Sequence, residues 1–115
     1  STRQIPLVGA ALWAANQISL NVKDEFAFPH YTNEEYCHTN SASAALNKWL
    51  KIRVPKQCVI HSFRHSMRDR LRMVNCPSEM IDQIGGWSNQ SIGKHYGSGY
   101  TLKNLLEAIH KILDD

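Results

Sequence analysis

Apolar residues along this chain fall into runs with helical spacing, divided by stretches that have no period. The clearest run is the last. Leu102, Leu105, Leu106, Ile109, Ile112 and Leu113 recur at i, i+3, i+4, i+7, i+10 and i+11, the stripe of an amphipathic helix. Thr101 stands where an N-cap belongs. That stripe can pack on its own domain or dock onto a neighbouring subunit, and the Gly97-Ser98-Gly99 hinge before it leaves both open. A central helix is predicted over Ser62–Val74, with Phe63, Met67, Leu71 and Val74 on its apolar side. Upstream, Ala45, Leu46, Trp49 and Leu50 mark a helix capped by Ser41 or Ser43 and running to about Arg53. Val54-Pro55 ends it, because a residue before proline avoids the α region. Val8 to Leu20 is apolar and alanine-rich, with Leu12, Trp13, Ala15 and Ile18 spaced for a buried helix face.

The remaining segments read differently. Ser1 to Leu7 has the look of a short β-strand, with Pro6 ending it or setting it at an edge. Asn21 to Asn40 has no helical period and is punctuated by Phe26, Phe28, Pro29, Tyr31 and Tyr36. It reads as a long loop with one extended piece, the kind of loop that is functional or mobile. Lys56 to Ile60 crosses to the central helix. Cys76-Pro77-Ser78-Glu79 opens a short helix with proline in its first turn, and Gly85-Gly86 closes it. Trp87 to Gln90 is a predicted turn, and Ser91 to Tyr96 one further helical turn. The predicted fold is mainly α with a short N-terminal strand.

Composition narrows the class without changing that outline. One domain is the natural count for 115 residues, and 43% hydrophobic content supplies a modest core. No apolar run reaches the roughly 18 residues of a membrane span, and no secretory leader pattern opens the sequence. Cys37, Cys58 and Cys76 are odd in number and far apart, which suits reduced thiols in an intracellular protein.

Charge changes the picture more. The net charge is +3, yet Lys51, Arg53, Lys56, Arg64, Arg68, Arg70 and Arg72 face one acid, Asp69, between positions 51 and 72. That segment carries +6 and leaves −3 for the rest of the chain. A local basic block suits contact with a polyanion at one place; a solvated basic helix is the plainer alternative.

On a helical projection, His61, Arg64, His65, Arg68 and Arg72 lie within about 60° of one direction, away from the apolar side. A guanidinium suits a phosphate because its planar fork donates two hydrogen bonds and keeps its charge. His61, near the helix N-terminus, can exchange a proton close to neutrality. The competing reading is a solvated or salt-bridged face, with Arg68 and Arg72 paired to Asp69, Glu79 or Asp82. Metal binding is disfavoured. His61 and His65 have i, i+4 spacing, but no glutamate lies between them and spacing supplies no third ligand. His30, Cys37 and His38 form no better set.

Several motifs then fall into the order of a known family. His61-Ser62-Phe63-Arg64-His65 resembles the H-x-L-R-H box of the tyrosine recombinases, the phage-integrase family, with Phe63 in place of leucine. Ile84-Gly85-Gly86-Trp87 is similar to the family's L-G-H turn, with glycine before Trp87 and Trp87 at the position held by histidine or tryptophan. Tyr96 follows Trp87 by nine positions, the spacing of the family's nucleophile. Ser1 to Leu7 is similar to the strand ending R-x-I-P-L that follows the family's β-hairpin lysine. The resemblance covers nearly the whole chain.

The resemblance implies site-specific DNA recombination or integration. Tyr96 would attack a backbone phosphate to give a 3′-phosphotyrosyl link, conserving the phosphodiester energy so that no nucleotide or other cofactor is needed. Arg64 would hold non-bridging oxygens and stabilise the transition state. His61 would assist proton transfer, and Trp87 would donate its indole N–H. His65 would be a supporting residue, and Lys56, Arg68 and Arg72 would contact DNA phosphates. The partner would be double-stranded DNA, bound in the cytoplasm by a tetramer of the full-length protein, bacterial or phage-encoded, with no membrane and no metal. Tyr100 is the rival nucleophile, whereas Tyr31 and Tyr36 have no supporting pattern.

The departures are also informative. The family's first catalytic arginine and its hairpin lysine precede the R-x-I-P-L strand, and Arg3 matches neither. The chain is expected to be the C-terminal part of a catalytic domain, without the upstream catalytic segment or the N-terminal DNA-binding domain, and to cleave DNA poorly or not at all by itself. Two further readings remain: a non-catalytic DNA-binding module, and a type IB topoisomerase-like enzyme that shares the chemistry but relaxes DNA.

Overall fold

Five helices form in the computed structural model, which describes residues 2–21, 23–87 and 99–113. They are α1 (Gly9–Asn21), α2 (Thr39–Leu50), α3 (Ser62–Met73), α4 (Ser78–Gly85) and α5 (Leu102–Lys111). Among the described residues there is no sheet. The long loop contributes one antiparallel β-bridge, Thr32–Cys37. The mainly α expectation therefore holds at this level, and no described helix is long and apolar enough to cross a membrane.

The expected N-terminal strand does not form: residues 2–8 have no regular secondary structure. A strand needs a neighbour for its backbone groups, and the described chain offers none. The segment is held by side chains instead. Ile5 and Val8 pack against the main core, and Arg3 Nε donates to the Ile84 carbonyl at 2.9 Å.

The chain divides into two compact units. One comprises Ser1–Leu12 with Arg64–Asp115, and the other Trp13–Phe63. The first holds the main core: Leu71, Met80, Ile81, Ile84, Leu105, Ala108, Ile109 and Ile112 are buried together. Part of the α5 stripe thus packs within its own unit, while Leu102 and Leu113 stay exposed. Leu105, Ile109 and Ile112, expected as one way to dock on a neighbour, are already covered. Thr101 caps α5 reciprocally with Asn104, since its hydroxyl accepts the Asn104 N–H at 3.2 Å. Arg70 reaches the other end of α5 and donates to the Ile112 carbonyl, where a cation also suits the helix dipole.

Both helices that lead to the site end in the same way. After α3, Asn75 takes a left-handed φ of 58°, its N–H bonds Arg72 O at 3.0 Å, and the Cys76 N–H bonds Leu71 O at 3.0 Å. That double closure is a Schellman stop. After α4, Gly86 has φ of 67°, and its N–H and that of Trp87 both reach the Asp82 carbonyl. Pro77 precedes α4 as its N-cap residue.

Along α1 and α2 three expectations fail. α1 forms but buries none of its residues; Leu12 and Trp13 are exposed. Its large apolar residues are spread around the helix circumference, so no single face can be covered. On α2 only Leu50 is buried, while Leu46 and Trp49 are exposed. Trp49 instead carries Arg53, whose Cζ lies 4.2 Å from the ring centroid and whose Nη1 donates to Trp49 O at 2.7 Å. Ser41 and Ser43 do not cap α2. Hydrogen bonding already starts at His38, whose carbonyl accepts from Ala42 at 3.1 Å, so both serines lie inside the helix.

The three cysteines are free thiols. Cys76, at the α3–α4 corner, has its pKa raised by burial, with nearby Lys111 opposing the shift. The thiolate is the reactive form. Cys76 should therefore alkylate more slowly than exposed Cys37 when the native protein is treated with iodoacetamide near pH 8 and the labelled peptides are counted by mass spectrometry.

Candidate functional site

Arg64 and Arg68 are one turn apart on α3, so both project over the same stretch of helix surface. The adjoining side of that helix is committed to the core through Leu71 and Met67. What lies over the two arginines is Trp87, delivered by the left-handed stop of α4. The Arg64 Cζ is 4.2 Å from the Trp87 ring centroid, and the Arg68 Cζ is 4.0 Å from it. All three side chains are half-buried.

The corner that delivers the indole explains the glycine pair. A Cβ on Gly85 would stand 1.7 Å from Cζ3 of Trp87, so the ring can lie there only if residue 85 has no side chain. Gly86 supplies the positive φ that turns the chain towards α3. Its surface is covered by the Arg3 guanidinium: a Cβ would be 2.4 Å from Arg3 Nη1.

Cation–π contact to tryptophan contributes about 0.5–1 kcal/mol at an exposed site and about 2 when desolvated. Two such contacts fix the ring plane. They also draw two positive charges to one place, a cost that an anion between them would offset. A guanidinium resting its face on a ring keeps its in-plane N–H donors for such an anion. The arrangement thus brings two forked cation donors and an indole together, all three half-buried.

The other expected residues fare differently. His65 follows Arg64 on α3 and is exposed. His61 is exposed in the turn before α3, and Lys56 is exposed in an earlier turn; both belong to the Trp13–Phe63 unit. Arg72 pairs with Asp69 at 3.6 Å, with both side chains largely exposed, an ion pair of little energetic weight. Tyr96 and the predicted helical turn around it lie outside the described residues. Tyr100 is half-buried against the core, and the Gln83 side chain holds both its N–H (2.8 Å) and its carbonyl (2.9 Å). Among the described residues no group of three or more His, Cys, Asp or Glu could hold a metal ion.

Sequence reasoning put Arg64, Arg68 and Trp87 on one list but gave no sign that both arginines would share the indole. Arg3 falls in the segment that the sequence marks as a strand. Its one signal was a cation near the start of a segment with no strand partner, which is not enough to predict a helix-end contact. The chain matches no family model, no curated protein and no solved structure.

Proposed function

We propose that this chain carries the nucleophile and part of the phosphate clamp of a tyrosine recombinase, an enzyme that breaks and rejoins DNA at specific sites. The observation that carries the reading is the meeting of Arg64 and Arg68 with Trp87, at 4.2 and 4.0 Å. The motif requires Arg64 and Trp87 at a single phosphate although they are far apart in sequence, and a merely basic helix has no reason to gather an indole between its arginines.

In this reading the Tyr96 oxygen attacks the phosphorus of a backbone diester. The Tyr96 O–P bond forms as the P–O5′ bond breaks, and the departing 5′ oxygen takes up a proton. The phenol proton leaves through His61 or water. Arg64 and Arg68 stabilise the charge on the non-bridging oxygens, and Trp87 donates its indole N–H to one of them. The 5′ hydroxyl of a second strand reverses the step, so the energy of one diester is conserved in the next. Assembly as a tetramer on two duplexes belongs to the same proposal.

Tyr100 competes poorly for the nucleophile's role, because its ring and backbone are engaged in packing. The test uses the intact natural protein and a nicked duplex that traps the covalent product. A DNA adduct on a denaturing gel should vanish with Tyr96→Phe and survive Tyr100→Phe. An adduct that persists in Tyr96→Phe would overturn the assignment. Retarded DNA without any adduct in the parent protein would point to a binding module, and plasmid relaxation without exchange between duplexes to a topoisomerase-like enzyme.

A further inference from the structure

We infer that Arg3 is a positioning residue for Trp87, holding the α4 corner in the one shape that seats the indole on Arg64 and Arg68. The inference rests on the reading of Trp87 as a phosphate donor, but its first test does not depend on that reading.

A helix ends with carbonyls that have no intrahelical donor. At the end of α4 the Asp82 carbonyl receives the N–H groups of Gly86 and Trp87. The Ile84 carbonyl receives Arg3 Nε at 2.9 Å, across 81 positions of sequence. The rest of the guanidinium lies over Gly86, where a Cβ would stand 2.4 Å from Nη1 and 2.7 Å from Cζ. One cation therefore touches the corner twice, on the last turn of α4 and on the left-handed residue that follows. A positive group there also complements the C-terminal end of the helix dipole.

The next residue is Trp87, whose ring lies against Gly85. The ring plane is thus defined on three sides: by Gly85, by the α3 arginines, and through the backbone by Arg3. The Gly85 and arginine contacts act on the ring. Arg3 acts on the backbone turn that aims it, beside the bonds to the Asp82 carbonyl. Ile5 and Val8 anchor the same segment in the core, so Arg3 is presented from a fixed base.

The experiment makes Trp87 the sole indole by replacing Trp13 and Trp49 with phenylalanine, and follows its emission and its quenching by acrylamide. A hydrogen bond to a charged group biases the corner by about tenfold or more. In Arg3→Gln, with helical circular dichroism retained, the quenching of Trp87 should rise towards that of an exposed indole and the emission should shift to the red. Unchanged quenching and emission would overturn the inference. If Arg3→Gln loses its helical signal, Arg3→Lys, which keeps a charge and one donor, decides the matter by the same two readings. The adduct assay on the intact protein separates this inference from the functional one. If Trp87 is unseated in Arg3→Gln yet the adduct forms at the parental rate, Arg3 still positions the indole, and the assignment of Trp87 to the phosphate fails.

Discussion

Gly85→Ala is expected to unseat Trp87 and abolish its contact with both arginines. The added Cβ would fall 1.7 Å from Cζ3 and 1.9 Å from Cε3 of the indole. A six-membered ring wedged between a helix end and two guanidinium groups cannot absorb such an overlap by a small adjustment. Forced overpacking of this kind costs about 1–3 kcal/mol, and two cation–π contacts of about 0.5–2 kcal/mol each go with it. In the protein with Trp87 as its sole indole, emission should move to the red and the urea midpoint should fall. The partner variant Gly86→Ala discriminates between causes. There the new methyl meets the far end of a flexible arginine, and the strain lies in the left-handed backbone, about 1–2 kcal/mol. A Gly85→Ala protein whose Trp87 emission matched the parent would show that the ring is not held where the corner puts it.

Leu71→Ala is expected to have the largest effect on stability. Leu71 has no exposed surface and is one of eight buried residues contributed by α3, α4 and α5 and the turn that follows α5. Truncating a buried leucine costs about 2–5 kcal/mol, the loss growing with the cavity left behind. Against a total of about 5–15 kcal/mol for a domain, such a change can consume most of the margin. Urea unfolding followed by circular dichroism measures it. Phe63→Ala is the control. Phe63 lies on the same helix and the same predicted apolar side, yet is 61% exposed. Its loss should stay within about 0.5 kcal/mol, and comparable losses from the two variants would contradict the burial pattern.

That pair shows what a sequence can and cannot say here. The helices themselves were legible, because spacing, capping residues and the Gly85-Gly86 stop are local signals. α5 was the most legible, with its stripe and its Thr101 cap both in place. Which apolar residues are covered was less so. Phe63 and Leu71 have the same character and the same helical side, and only the approach of α4 and α5 separates them. For Trp49 and Leu46 the stripe was real but its cover was not. The strand over residues 1–7 failed for a related reason: β-propensity describes fit to a neighbour, and the described chain has no neighbour to offer.

The site was legible as a set of residues and illegible as an arrangement. Helical projection grouped Arg64, Arg68 and Arg72 on one face, but the three do not share one use for their charge. Arg64 and Arg68 went to an indole, whereas Arg72 went to Asp69. Arg70, counted within the same basic block, closes the end of α5. Arg53 rests on Trp49. A tally of charges therefore overstated how much of the block faces a polyanion, because guanidinium groups serve structural carbonyls and aromatic rings as readily as phosphates.

The reach of Arg3 to Ile84 also carries an entropic cost that the corner itself does not. The two stops at Asn75 and Gly86 close within six residues, and Trp87 returns to Arg64 across 23. The Arg3 contact spans 81 positions. Loop-closure entropy grows with the logarithm of length, so the longer closure costs about 1 kcal/mol more than the shorter. The α3–α4 corner is thus a low-contact-order unit that can form while the first residues are still unattached. On loop-closure entropy alone, the clasp of Arg3 is expected to complete it after the corner has formed.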